Sequence, residues 1–192
     1  MNARVARAYW GHLRDARCVL DLGCATGDLG RFKPVGAEVH GLEISPALAR
    51  EAAVHEQVGV WDLDAPAPLP YASDYFDAVV AKDILEHLQR PWQTLAEIRR
   101  VLKPGGVVLA SVICYRARRT WSDYTHVRGF TMRSAQQMFV DAGFSVIDVW
   151  RMGAVPLTSR FNLLGFVPHL LRVAPLDWIW TSSYELKATK PR

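Results

Sequence analysis

The sequence predicts an α/β protein with a mostly parallel, doubly wound sheet covered by helices on both faces. Three observations carry that prediction. Short apolar runs of strand length recur along the chain, helical periodicity fills several of the gaps between them, and a glycine-rich turn closes the first run where a helix should begin. At 192 residues, with 50% hydrophobic and 22% charged residues, the chain is read as one domain over 1–192 with a packed core. That composition excludes wholesale disorder, collagen and coiled coil.

The elements follow in order. Residues 1–17 are read as an N-terminal helical segment. Cys18 to Leu22 is a buried strand closed by Gly23. Glu38 to Ile44 is the second strand, and Ser45-Pro46 then supply an N-cap and a first-turn proline to a helix over Ala47 to Val54. Val58 to Trp61 is a third strand, Ala65 to Pro70 is too proline-rich to be anything but loop, and Phe76 to Ala81 is a fourth strand. Pro91 opens a helix whose apolar face is Trp92, Leu95, Ile98, Val101 and Leu102, and Lys103-Pro104-Gly105-Gly106 ends it. Val107 to Val112 is the fifth strand. Thr131 caps a helix with Met132, Ala135, Met138 and Phe139 on one face, ending at Gly143, and Phe144 to Trp150 and Ser183 to Thr189 are the last strands. Such sheets bind ligands at the carboxyl ends of their strands, so the first half supplies the expected cofactor cleft.

Charge is unevenly placed. Residues 21–100 hold seven basic and thirteen acidic side chains, whereas 101–192 hold twelve basic and five acidic, which points to two different ligands. Cys18, Cys24 and Cys114 form no disulfide or zinc spacing, and Met1 to Leu13 has no apolar signal core, so a cytoplasmic, reducing location is expected. The greasiest late stretch, Phe161 to Leu171, is too short to span a bilayer and is interrupted by Pro168.

The first loop, Asp21-Leu22-Gly23-Cys24-Ala25-Thr26-Gly27-Asp28, suits close backbone approach to a ligand. A nicotinamide fingerprint needs glycine at 23, 25 and 28, where this chain has Gly23, Ala25 and Asp28, and two carboxylates would oppose a pyrophosphate. S-adenosyl-L-methionine carries a sulfonium and an ammonium and no phosphate. The acidic first half suits it.

With DLGCATG at 21–27, GLEIS at 41–45, WDLDAPAPLPY at 61–71, FDAVVAKDILEHL at 76–88 and LKPGG at 102–106, in that order, the chain resembles the class I S-adenosylmethionine-dependent methyltransferases. THVRGFT at 125–131 and DAGF at 141–144 resemble the small-molecule branch, of the type 11-like kind. The resemblance implies a Rossmann-like sheet of seven strands with the last antiparallel, and S-adenosyl-L-methionine as cofactor. It implies that Asp21 holds the methionyl ammonium while Gly23, Cys24, Ala25 and Gly27 pass beneath the methionine part. Glu43 would take the ribose hydroxyls, with Ile44 beside it. Asp62 and Leu63 would meet the adenine, and Lys82 and Asp83 would line the end of the fourth strand. Ala25 departs from the usual glycine and demands either negative φ or strain. Asp28 reads equally well as the N-cap of the next helix, and Cys24 as a small loop residue rather than a nucleophile.

Methyl transfer is an in-line displacement in which positioning does most of the work. A hydroxyl acceptor must also lose a proton, and the candidate bases are His126, after the fifth strand, and His87, one helical turn from Asp83. Asp83, Glu86, His87 and His126 are similar to the divalent-metal set of small-RNA 2′-O-methyltransferases and some ubiquinone-pathway O-methyltransferases. An aspartate stands where those proteins usually have glutamate, and no metal is assigned. Arg116, Arg118, Arg119, Arg128 and Arg133, clustered with Trp121, Tyr124 and Phe130, favour a small anionic acceptor over nucleic acid.

Segments 115–130 and 154–181 are expected to flank that acceptor as loop and lid. Pro156, Pro168 and Pro175 punctuate the second, and Trp178 and Trp180 suit a peripheral membrane contact and a lipid-linked acceptor. O-methylation of a small acceptor is the expected function. The alternatives are a regulatory member acting through a protein partner, suggested by a likeness to methionine-biosynthesis methyltransferase-like proteins, and an RNA methyltransferase.

Overall fold

The computed structural model describes residues 1–13, 15–117, 120–153 and 181–192. The chain runs α1 (Ala3–His12), β1 (Cys18–Leu22), α2 (Asp28–Arg31), β2 (Glu38–Glu43), α3 (Pro46–Ala52), β3 (Gln57–Val60), β4 (Phe76–Lys82), α4 (Pro91–Val101), β5 (Leu102–Ile113), α5 (Met132–Asp141), β6 (Ser145–Gly153) and β7 (Thr181–Thr189). The strands form one sheet in the order β3-β2-β1-β4-β5-β7-β6. β1, β2, β3, β4 and β5 pair in parallel, and β7 runs antiparallel to both β5 and β6, as the resemblance implied.

Strand periodicity explains the double winding. In β1, Leu20 faces one core and Val19 the other; in β4, Val79 and Ala81 share Leu20's face while Ala78 and Val80 share Val19's. The first face is covered by α4 through Leu95, Ile98 and Val101 and by α5 through Ala135 and Phe139. The second is covered by Tyr9 and Trp10 of α1 and Leu29 of α2. Because both faces are buried, the central strands read as continuous apolar runs.

Several boundaries differ from the sequence expectation. β5 begins at Leu102, which pairs with Phe76 before a register shift lets Val107 pair with Ala78, so Lys103-Pro104-Gly105-Gly106 is an irregularity within the strand as well as the end of the helix. Asp28 is the first residue of α2, whose N-cap is Gly27 with φ 76°, so Asp28 is no cap; it pairs instead with the Met1 ammonium at 3.2 Å. Asp83 to Leu88 forms turns rather than a helical turn. The arginines at 118 and 119, and residues 154–180 of the segment expected as a lid over 154–181, with its prolines and tryptophans, lie outside the described residues. Among the described residues no helix is long and apolar enough to cross a membrane.

Candidate functional site

The strand order reverses between β1 and β4, and the parallel register carries the carboxyl ends of β2, β1, β4 and β5 to one edge of the sheet. On the β1–β2 side, the loop after Leu22 turns through Gly23 (φ 68°), Ala25 (φ 51°) and Gly27 (φ 76°). The Gly23 and Cys24 N–H groups donate to the Leu42 carbonyl at 2.8 and 3.2 Å, tying the loop to β2. Alanine at 25 therefore adopts the strained, left-handed conformation and keeps the loop's shape. Glu43, buried at the end of β2, accepts the Ala25 N–H at 3.0 Å and the Ser45 N–H at 2.9 Å. Two of its roughly four lone-pair directions are thereby used, and Ile44 beside it is 64% exposed.

Asp21 is buried in the body of β1. Its carboxyl is pushed well above the ordinary range by burial, and next by the Glu56 carboxylate; the Met1 ammonium opposes them. Glu56 is also buried and accepts the Gly30 N–H at 3.1 Å, while its Oε1 has no hydrogen-bond partner among the described residues. Sequence reasoning did not identify Glu56, which stands just before a strand in a polar stretch. The available signal was Gly41: a Cβ there would stand 2.5 Å from Glu56 Oε1 and 2.6 Å from Cys24 Sγ. Burial, with Glu56 and Asp21 beside it, pushes the Cys24 thiol up, the opposite of what a nucleophile needs. Asp62 is exposed and accepts the Asp64 N–H at 2.9 Å, while Leu63 is half-buried and lines a cavity of about 370 Å³ beneath the 65–70 loop.

On the β4–β5 side, Asp83 has φ 51°, accepts the Ser111 hydroxyl at 2.5 Å and pairs with Lys82. With Glu86, His87, Ile113, Ser122, Asp123, His126, Ser182 and Ser183 it lines a cavity of about 350 Å³. His87 and His126 meet there because the Val127 N–H donates to the Glu86 carbonyl at 3.0 Å and the Thr125 hydroxyl lies 3.0 Å from His87 Nδ1; their ring centroids are 4.6 Å apart. His126 Nδ1 donates to the Thr120 carbonyl at 2.7 Å. Burial, then His126, holds His87 below its ordinary value. Burial pushes the Glu86 carboxyl up to about 8, with the Asp83 charge adding to it.

Behind this cavity, the Tyr9 hydroxyl donates to the buried Glu185 at 2.5 Å, so α1 is tied to β7 close to Ser111. Among the described residues, part of the basic and aromatic cluster is used internally. Phe130 is packed in the core, and Arg128 donates to the Gln89 carbonyl at 2.8 Å and lies over the Trp92 ring. Trp121 and Tyr124 are exposed.

A family model described as a methyltransferase domain matches residues 2–149. An uncharacterized methyltransferase of Mycobacterium avium is 32% identical over 108 residues, which are 55% of this chain and 43% of that protein, so the match spans less than half of the relative's length. Among solved structures, a SAM-dependent methyltransferase from Archaeoglobus fulgidus superposes with a TM-score of 0.77 at 18% identity, covering 98% of this chain and 92% of that one. A methyltransferase from Haloferax volcanii, solved in complex with a methyltransferase activator, gives 0.70 at 20% identity, covering 98% and 93%. At these identities the two structures bear on the fold alone.

Proposed function

This chain belongs to the methyltransferase-domain family, and from that premise we propose that it transfers the methyl group of S-adenosyl-L-methionine to an oxygen of a small, anionic acceptor. The observation that carries the reading is the division of one sheet edge into two adjoining halves. Buried Asp21 and Glu43 flank a left-handed loop on the β1–β2 side, and an imidazole-lined cavity opens on the β4–β5 side.

In this reading Asp21 faces the donor's ammonium, Gly23, Cys24, Ala25 and Gly27 pass under its methionine part, and Glu43 takes the ribose hydroxyls with its remaining lone pairs. Ile44 and Leu63 supply apolar surface for the adenine and Asp62 meets its amine. Lys82 and Asp83 close the boundary with the acceptor side. With the donor so held, its methyl group would face the cavity, where His87 and His126 would meet an acceptor hydroxyl. An oxygen–methyl bond forms as the sulfur–methyl bond breaks, leaving a neutral thioether, and the hydroxyl proton leaves toward the imidazoles. Asp83 and Asp123 make the lining acidic, so the acceptor's anionic end lies outward, toward exposed residues such as Arg116.

Calorimetric titration with S-adenosyl-L-methionine tests the donor half of this reading: one equivalent binds, and Asp21→Asn weakens binding at least tenfold. Absence of binding to the folded wild-type protein removes the enzyme reading. Transfer of labelled methyl to candidate sugars and acids tests the acceptor half, and undiminished turnover in His126→Ala overturns that residue's role. A regulatory protein acting through a partner is the second reading, favoured by the 65% and 97% exposed Trp121 and Tyr124. The RNA reading is weakened by the internal use of Phe130 and Arg128.

A further inference from the structure

We infer that Glu56 is a positioning residue for the methyl donor. Its carboxyl stands against that of Asp21 beneath the first loop, and the pair holds one proton whose place the donor's ammonium takes. The inference deepens the donor half of the proposed function and rests on it. Parallel register sets Asp21 opposite Gly41, so the place a Gly41 side chain would fill lies roughly 4.8 Å from Asp21 on the same face of the sheet. Glu56 occupies that place. A Cβ on Gly41 would stand 2.5 Å from Glu56 Oε1, and one on Gly30 would stand 2.6 Å from Glu56 Oε2. Two glycines, one in β2 and one in α2, thus leave a slot for one carboxyl group, at positions where glycine weakens its element.

The hydrogen bonds show why a proton belongs there. Glu43 has a backbone donor on each oxygen, the Ala25 N–H on Oε2 and the Ser45 N–H on Oε1. Glu56 has the Gly30 N–H on Oε2 and no partner on Oε1 among the described residues, with the Cys24 thiol, a weak donor, beside it. Asp21 and Glu56 are 3% and 7% exposed, and two carboxylates side by side in such surroundings do not both ionise readily. A proton on Asp21 turns their repulsion into attraction and offers Glu56 Oε1 the donor that it lacks. Burial, then the Glu56 charge, raises Asp21, and burial raises Glu56 against the Cys24 and Gly30 bonds that lower it. Of the other charges facing the pair, Asp28 and Glu43 favour keeping the proton, whereas the Met1 ammonium and Lys33 oppose it.

Donor binding is then an exchange of cations. The ammonium enters beside Asp21, the carboxyl O–H bond breaks and the proton leaves to water. The pair gains one negative charge and the ammonium supplies one positive, so the buried charge is the same before and after. Glu56 meets Asp21 rather than the donor, and acts by setting the pH at which Asp21 is charged.

The test follows binding of S-adenosyl-L-methionine by calorimetry from about pH 5 to about pH 7, where an α-ammonium stays charged, in buffers of different ionisation enthalpy. Close to one proton should be released per donor bound, with affinity rising about tenfold per pH unit. In Glu56→Gln the release should fall below about half a proton and the pH dependence should flatten to match, while Glu56→Asp, which keeps the charge, should restore both. A merely structural role would lower affinity by the same factor at every pH. An unchanged proton count in Glu56→Gln therefore overturns the inference and leaves the donor reading standing. The glutamine keeps an acceptor for the Gly30 N–H and removes a buried charge, so the variant is expected to fold. Should it not, a carbon-13 titration of the wild-type carboxyl groups without donor decides: the Asp21 and Glu56 signals should move together in two linked steps, and independent single steps overturn the pair. Linked carboxyls in wild-type protein that binds no S-adenosyl-L-methionine would remove the donor reading, and the role of Glu56 with it.

Discussion

Ala25 and Asp21 show how much strain and burial β1 and the loop after it carry. Ala25 sits at φ 51°, where a Cβ costs about 1 kcal/mol relative to glycine. Ala25→Gly is therefore expected to raise stability by about 0.5–1 kcal/mol in a denaturant titration; a loss of stability would mean that the loop is not strained at that point. Asp21 is buried, with its carboxyl held well above the usual range by burial and by Glu56. The folded empty protein retains a proton that the unfolded chain has already lost, so stability falls as pH rises through the raised value. In the proposed function an ammonium lies beside Asp21 and would favour the carboxylate, so donor binding is expected to release a proton. Affinity should rise with pH until the raised value is passed, and binding heats should depend on buffer ionisation enthalpy; pH-independent affinity and heats would count against Asp21 as the ammonium partner. Asp21 and Glu43 were named through the family resemblance and the two histidines as candidate bases, and the structure brings His87 and His126 together on one cavity. Glu56 was not legible, since nothing local in His55-Glu56-Gln57 says that the side chain folds back under the first loop.

At the scale of elements, the apolar runs were legible because both faces of the sheet are covered, whereas the Lys103-Pro104-Gly105-Gly106 stretch was read as a break. Strand pairing overrides the local turn propensity there: Leu102 pairs with Phe76, and the extra residues are absorbed by the register shift. Asp77 fixes that arrangement. Its Oδ2 accepts the Arg17 and Cys18 N–H groups, both at 2.9 Å, and its Oδ1 accepts from Lys103 at 2.6 Å, so one carboxylate joins the starts of β1, β4 and β5. Burial pushes this carboxyl up, but the hydrogen bonds from Lys103, Cys18 and Arg17 outweigh burial and hold it below its ordinary value. Since its folded pKa lies below the unfolded one, its contribution is present above about pH 4 and is lost as pH falls through the folded value. Asp77→Ala is expected to cost about 1–3 kcal/mol at pH 7, given the two backbone donors it strands, and the difference from wild type should shrink at acid pH. An equal difference at pH 3 and pH 7 would assign the cost to packing instead.

For the molecule as a whole, the uneven charge has a structural counterpart on the acidic side. Asp21, Glu43 and Glu56, all from the acidic stretch, converge under the first loop. The basic second half was less legible, because sequence proximity does not say which arginines are used internally, as Arg128 is. β6 and β7 have a further property. Gly153 pairs with Thr181, so the chain departs for residues 154–180 and returns at neighbouring points of one hairpin. Replacing 154–180 by a short hairpin turn is therefore expected to leave cofactor affinity within about threefold and the melting temperature within a few degrees, while acceptor turnover falls at least a hundredfold. A collapse of cofactor binding would show that the segment belongs to the donor half. Loop-closure entropy grows only logarithmically, about 0.6 kcal/mol for each doubling of length. The hairpin tip thus behaves as a socket: inserts of different length can be joined to it at little thermodynamic cost, without renegotiating the pairing of the seven-stranded sheet.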